Sequence, residues 1–211
     1  MNEQLDLSKY EDKKLIAFDL YGTCIDHPNK IFRLSWNLRD ILKTRPISLL
    51  NWDEIENNWE KIKVSEELID MVRKDIEWTF IFPETLEVLK YIKSKWYKIA
   101  LVSNLSKDYA EPIHKFFPEW IFDYEVLSFD VWAVKPDSKI YEYLRDVSKI
   151  DFKDMVFIWD TLKADVLWPK ELWIEPIHVN RDETEPWAKL VHKRWIDFIQ
   201  ISTLADLKEI L

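Results

Sequence analysis

The sequence predicts an α/β fold: a doubly wound parallel sheet with a helical insertion near its start. Two observations carry that expectation. From Pro83 onward, short apolar runs alternate with amphipathic helical segments, the order that produces parallel strands joined by crossover helices. Ahead of them, the run 14–23 (KLIAFDLYGT) reads as an apolar strand too brief for a helix, bounded by charge before and a turn after. It delivers Asp19 to a strand's C-terminal end, where open α/β sheets bind their ligands.

Each element has its own justification. Residues 1–14 are polar and charged, and the strand that follows leaves through a sharp turn at Gly22 and Thr23, where glycine is free to take a positive φ. Asp26, His27, Pro28 and Asn29 form a turn-like cluster, with His27 a loop residue. Over 31–82 the pattern is helical: Leu34, Leu38, Ile41 and Leu42 share a face, and Ser65 precedes Glu66, Glu67, Leu68, Ile69 and Val72 as an N-cap does. No convincing strand signal lies in that stretch. Pro83 opens a helix over 84–95 with Leu86, Leu89 and Ile92 on one face. A strand over 97–102 ends in Ser103 and Asn104. There follow a helix over 108–117 carrying His114, a strand over 124–128, and a helix over 139–147 opened by Lys135, Pro136, Asp137 and Ser138. A strand over 154–158 leads to Asp160 and Asp165, with a helix over 164–172, a strand over 174–179 containing a structural His178, a polar loop over 182–187 and a last strand over 196–201 beyond it. Thr203, with Asp206 three residues later, reads as a capping box opening a terminal helix over 204–211.

The 211 residues, 47% of them hydrophobic, suffice for one core domain over 1–27 and 83–211 with an inserted domain over 28–82. A net charge of −9 and a pI near 5.1 disfavour a nucleic-acid or anionic-membrane surface, which leaves small-molecule or protein partners. No apolar run approaches the roughly 18 residues that a membrane span needs. Cys24 is the only cysteine, so no intramolecular disulfide is possible and a reducing, cytoplasmic location is expected. It reads as a buried small side chain. Oligomeric state leaves no signature in these features.

Four polar segments sit at strand ends or helix starts: Asp19 to Thr23, Ser103 with Asn104, Lys135 with Pro136 and Asp137, and Asp160 with Asp165. Singly, each has a plain structural explanation, as a cap, a solvated lysine or a solvated carboxylate. In this order they resemble the four motifs of the haloacid dehalogenase-like (HAD) hydrolase superfamily. The resemblance implies a Rossmann-like core, with the insertion as a small helical cap over the active site. It implies that Asp19 is the nucleophile, that Thr23, Ser103 and Asn104 meet the substrate, and that Lys135 neutralises nucleophile and transferred group. It also implies a Mg²⁺ ion held by Asp19, the main-chain carbonyl of Tyr21, Asp160 and Asp165. Three carboxylates facing one another repel strongly without a cation, and oxygen-only ligands suit Mg²⁺. The expected enzyme is a phosphatase acting on a small phosphorylated metabolite through an aspartyl-phosphate.

Tyr21 departs from that pattern. Phosphatases of the superfamily usually carry a second aspartate two residues after the first as general acid and later base, whereas a phenol with a pKa near 10 is a poor base at pH 7. The Asp-x-Tyr-Gly-Thr form resembles the metal-independent 2-haloacid dehalogenases, whose halide needs no proton. Tyr141, six residues beyond Lys135, also resembles that branch and equally suits a helix face. That branch does not usually keep an acidic pair of the Asp160 and Asp165 type, so the retained carboxylates favour the phosphatase. Arg33, Arg39 and Arg45 could reach an anion from the cap, and equally fit the polar face of its helices.

One feature of the composition is abnormal. Glycine usually makes up about 7% of a chain, roughly fifteen residues here; the count is 1, against 12 tryptophans. Trp96 follows the helix over 84–95 where a glycine C-cap is expected, and Trp159, Trp168 and Trp173 fall where the family's fourth motif carries glycines. The expectation is that many of these are glycine positions written as tryptophan, either through UGA codons that some lineages decode as glycine or by deliberate substitution. The alternative is a tryptophan-rich protein with a large aromatic core. In that case Trp159 crowds the pocket beside Asp160, and a non-catalytic binding protein becomes the third reading.

Overall fold

The computed structural model describes residues 6–27, 43–44, 66–161, 171–183, 188–193 and 196–211. In chain order the strands are β1 (Leu15–Phe18), β2 (Ile25–Asp26), β3 (Phe80–Ile81), β4 (Lys98–Ser103), β5 (Tyr124–Leu127), β6 (Met155–Trp159), β7 (Glu175–Val179), β8 (Lys189–Lys193) and β9 (Ile196–Ile201). The helices are α1 (Ser8–Glu11), α2 (Glu66–Glu77), α3 (Thr85–Ser94), α4 (Glu111–Phe116), α5 (Ser128–Val131), α6 (Ser138–Ser148) and α7 (Leu207–Ile210).

Seven strands form one sheet in the order β5-β4-β1-β6-β7-β9-β8. It is parallel as far as β9, and both faces are covered, which is why these strands read as continuous apolar runs. Alternate side chains supply two cores. Ile16, Phe18, Ile99, Leu101, Val156 and Ile158 meet Val88, Leu89 and Ile92 of α3 on one face. On the other, Leu15, Ala17, Ala100, Val102 and Phe157 meet Ile140, Tyr141 and Leu144 of α6.

The winding positions the site. Phe18 of β1 pairs with Leu101 of β4 on one side and Ile158 of β6 on the other, and the chain builds outward from β1 in both directions. The crevice beyond the C-terminal ends of β1, β4 and β6 is therefore a topological switch point. Asp19, Ser103 and Asp160 lie at those three ends.

The structure departs from expectation in several elements: α1 and α5 are unexpected from the sequence, and the terminal helix expected over 204–211 is a 3₁₀ turn, Leu204–Asp206, followed by α7. The sheet is not wholly parallel: β8, unexpected from the sequence, pairs antiparallel with β9 at the edge. Its run Lys189-Leu190-Val191-His192-Lys193 mixes charge with apolar residues, as an edge strand does. The pair Ile25↔Ile81 and Asp26↔Phe80 forms a small antiparallel ribbon at the base of the insertion; two residues are too few to show a period in sequence. The helix expected over 108–117 divides into a 3₁₀ turn, Lys107–Ala110, and α4, which restarts with Pro112 in its first turn. Of the cap expected over 28–82, the described part is 43–44 and 66–82, including α2. The capping box is as expected: Thr203 accepts from Ala205 N, and Asp206 reaches back to the N-cap backbone.

Among the described residues, four other than glycine have a positive φ: Trp96 (68°), Trp132 (58°), Lys149 (59°) and Trp173 (66°). Trp96 lies just past α3 and Trp132 just past α5. Trp159 is different. It is a buried strand residue whose indole packs on Phe157, with ring centroids 4.8 Å apart, so it sits in the core rather than crowding the pocket. Trp168 lies outside the described residues.

Candidate active site

The ladder between β1 and β6 runs one residue past the strand, because Asp19 N donates to Ile158 O at 2.9 Å. That bond fixes the backbone of Asp19 in the crevice. Its carboxylate is held from three sides. Oδ1 accepts from Ser103 Oγ at 2.6 Å and from Leu20 N at 2.8 Å, and Oδ2 lies 2.9 Å from Lys135 Nζ. The Lys135 side chain is 2% exposed, with the Phe157 ring 5.5 Å from its ammonium. A cation so buried needs a counter-charge, and Asp19 supplies it.

Asn104 acts on that lysine. Its side-chain amide donates to Lys135 O at 2.8 Å and accepts from Lys135 N at 2.7 Å. The sequence reading puts Asn104 at the substrate; in the structure its side chain is engaged with the main chain of Lys135. Thr23 is fully buried, and its hydroxyl has no hydrogen-bond partner among the described residues.

Gly22 joins the two acidic residues. Its φ of +79° favours glycine, and a Cβ there would stand 2.2 Å from Asp160 Oδ2, so any side chain would displace that carboxyl. The Asp160 carboxyl thus seats against the turn that follows Asp19. Burial first, and the charge of Asp19 second, push its pKa up to about 6. Asp165 lies outside the described residues. Among the described ones, no group of three or more His, Cys, Asp or Glu is placed to hold a metal ion, and Asp19 with Asp160 are the two carboxylates brought together.

Tyr21 belongs to an aromatic joint. Its hydroxyl donates to Tyr109 O at 3.3 Å, and its ring meets His27 and Tyr109 edge-on at 5.6 and 5.9 Å. Tyr109 Oη donates in turn to Asp75 of α2 at 3.0 Å. Burial raises the Tyr21 phenol above its ordinary range, which weakens it as a proton donor. His27 is buried in this joint. Tyr141 is fully buried against Phe157, so its place is the core face of α6. Burial also raises the Cys24 thiol, which suits an inert side chain. Arg33, Arg39 and Arg45 lie outside the described residues.

Two residues near the site go beyond the sequence reading, which gives His178 only a structural place and Arg181 none. His178 Nε2 hydrogen-bonds the main-chain carbonyl of Asp160 at 2.9 Å, while Nδ1 lies 3.2 Å from Gln200 Oε1. Arg181, just past β7, donates to the main-chain carbonyls of Gly22 and Thr23. Both act on backbone oxygens, which side-chain spacing does not encode.

Comparison with known proteins follows the same lines. Residues 13–170 match the family model of haloacid dehalogenase-like hydrolases. The glyceraldehyde 3-phosphate phosphatase of Methanothermobacter thermautotrophicus is 28% identical over 131 residues, covering 62% of this chain and 58% of that protein. The chain therefore spans little more than half the length of that relative. A HAD phosphatase from Thermococcus onnurineus superposes with a TM-score of 0.65 at 18% identity, covering 93% of this chain and 97% of that one. A HAD-family enzyme from Bacteroides thetaiotaomicron, in complex with magnesium and inorganic phosphate, superposes at 0.61 with 19% identity, covering 81% and 96%. At these identities the two structures speak for the fold.

Proposed function

The chain belongs to the haloacid dehalogenase-like hydrolase family, and from that premise we propose that it is a Mg²⁺-dependent phosphatase of small phosphorylated metabolites, working through an aspartyl-phosphate on Asp19. The observation that carries this reading is the convergence of Asp19, Ser103, Lys135 and Asp160 at one switch point, with Asp160 seated on Gly22. The phosphatase name of the Methanothermobacter relative supports it, as do the magnesium and phosphate of the Bacteroides structure.

The donor set fits the ion, being hard oxygens with Asp160 destabilised by burial and by its acidic neighbour. Asp19, Asp160, Asp165 and the Tyr21 carbonyl would hold Mg²⁺, whose charge offsets that of the carboxylates and the phosphoryl group. The protein's own groups do the rest. A carboxylate oxygen of Asp19 attacks phosphorus, the bond from phosphorus to the leaving oxygen breaks, and its electron pair stays on that oxygen. Lys135 balances the phosphoryl charge, the Thr23 hydroxyl donates to a phosphoryl oxygen, and the Ser103 hydroxyl, which holds Asp19 before attack, turns to another. Water then attacks phosphorus, breaking its bond to Asp19 and releasing phosphate and a free carboxylate. With Tyr21 engaged on Tyr109, the leaving oxygen takes its proton from solvent. A cytoplasmic location belongs to the same proposal; no described helix is long and apolar enough to cross a membrane.

Tyr21 favours a second reading, a metal-independent 2-haloacid dehalogenase in which Asp19 attacks carbon and halide leaves. One assay separates the two. Phosphate release from p-nitrophenyl phosphate in Mg²⁺ should stop on adding EDTA and fall at least about 10³-fold in Asp19→Asn, the scale of losing a nucleophile. Chloride release from 2-chloropropionate in EDTA, with no phosphoester turned over, would establish the dehalogenase instead.

A further inference from the structure

Between Tyr21 and Cys24 the catalytic turn offers its carbonyls to a residue that follows β7, two strands away from β1. Arg181 Nη2 donates to Thr23 O at 2.6 Å and Nε donates to Gly22 O at 3.2 Å. Nη1 pairs with Glu84 Oε1 at 2.8 Å, and the guanidinium lies 3.4 Å from the centre of the Phe82 ring. Glu84 also accepts from Thr203 Oγ1 at 3.0 Å, so the fork is anchored to the start of α3 and to the terminal capping box. A planar guanidinium meets these partners in one orientation, which a lysine cannot do.

We propose that Arg181 is a positioning residue of the catalytic centre: by clamping the carbonyls of Gly22 and Thr23, it fixes the two peptide planes that flank Thr23 and, through Gly22, the seat of Asp160. The turn holds a glycine at positive φ, the residue least able to fix its own peptide planes. The turn's own amides reach Ile25 O and Leu20 O, and two charge-assisted hydrogen bonds from Arg181 hold the carbonyl side of the same turn. The kinetic part rests on the phosphatase reading; the clamp itself does not.

The test uses Arg181→Gln and Arg181→Lys in the full chain, with folding checked by thermal unfolding. Amide hydrogen exchange over 20–26 should speed up in both variants, whatever the enzyme's substrate. In p-nitrophenyl phosphate hydrolysis, kcat should fall about 10- to 100-fold and the Mg²⁺ concentration for half-maximal rate should rise about 10-fold, the scale for groups that orient ligands or reactants. Unchanged exchange overturns the clamp. Faster exchange with wild-type kcat and Mg²⁺ dependence overturns the positioning role. A wild-type chain inactive on aryl phosphates defeats the phosphatase reading, while the exchange result still decides the clamp.

A second inference rests on separate observations. Among the described residues, three of the four non-glycine residues at positive φ are tryptophan, and Trp96, Trp132 and Trp173 are 93%, 64% and 80% exposed. Their indoles gain little burial to offset a left-handed backbone that favours glycine. The chain holds 12 tryptophans and 1 glycine. Trp159 adds a buried indole N–H with no partner among the described residues. We infer that Trp96, Trp132 and Trp173 are glycine in the protein its source cell makes, their codons being UGA decoded as glycine. The gene should carry UGA at these positions, and peptides from the native source should have the glycine mass; UGG codons overturn the inference. In the tryptophan-bearing chain, the triple Trp→Gly variant should raise Tm by about 2–4 °C per site. The triple Trp→Ala variant should not, since alanine bears the same backbone penalty. Equal Tm for the two variants overturns the backbone argument.

Discussion

Asp19 is the residue on which the chemistry turns, and its neighbours set what it can do. The buried ammonium of Lys135 lies against its carboxylate, and Ser103 aims it. Replacing Lys135 by Met should therefore lower kcat on aryl phosphates by about 10²- to 10³-fold, the scale for removing one preorganised electrostatic donor. Tyr21 gives a second expectation. With its hydroxyl on Tyr109 and its phenol raised by burial, the leaving group has no nearby acid at that position. Aryl phosphates should exceed alkyl phosphates in kcat/KM by at least about 100-fold, the lower range of general-acid contributions; equal rates would place a working proton donor in the pocket. Asp19, Ser103, Lys135 and Asp160 were legible because a polar residue directly after an apolar strand, or at a helix start, is a local signal. Arg181, His178 and the attachment of Asn104 to Lys135 were not, because their bonds go to main-chain atoms brought together by the fold. Residue 96 was legible for another reason: a helix end demands particular backbone angles, and tryptophan there contradicts its own preference, whereas residue 173, also at positive φ, was marked by the family motif alone.

At the level of elements, strong local grammar carried furthest. Pro83 opening α3 and the capping box at Thr203 name their own boundaries, and both lie as expected. Thr203 joins two jobs, since its hydroxyl caps the terminal helix and donates to Glu84. Thr203→Ala should destabilise the chain by about 1 kcal/mol and lower Tm by about 2–4 °C in thermal unfolding, as loss of an N-cap does. Elements without such grammar were illegible. The two-residue strands β2 and β3 have no period to read, and β8 exists because β9 offers it a free edge. The break between the 3₁₀ turn and α4 was hidden in a run that is helical on both sides.

For the whole molecule, alternation of strands and helices specified a doubly wound sheet, and its winding out from β1 places one crevice where three strand ends meet. The ligand-dependent stability of that crevice is testable. Mg²⁺ at about 100 times its dissociation constant should add about 2.7 kcal/mol to the unfolding free energy, because an ion bound only by the folded state must stabilise it. Asp160→Asn should abolish that gain. The central claim is that Asp19 takes up the phosphoryl group. Its most direct test is the mass of peptide 15–24 from protein quenched in acid during turnover of p-nitrophenyl phosphate. The account predicts one phosphoryl adduct on Asp19, absent from Asp19→Asn; sustained turnover with no adduct, or with the phosphoryl group on another residue, would contradict it.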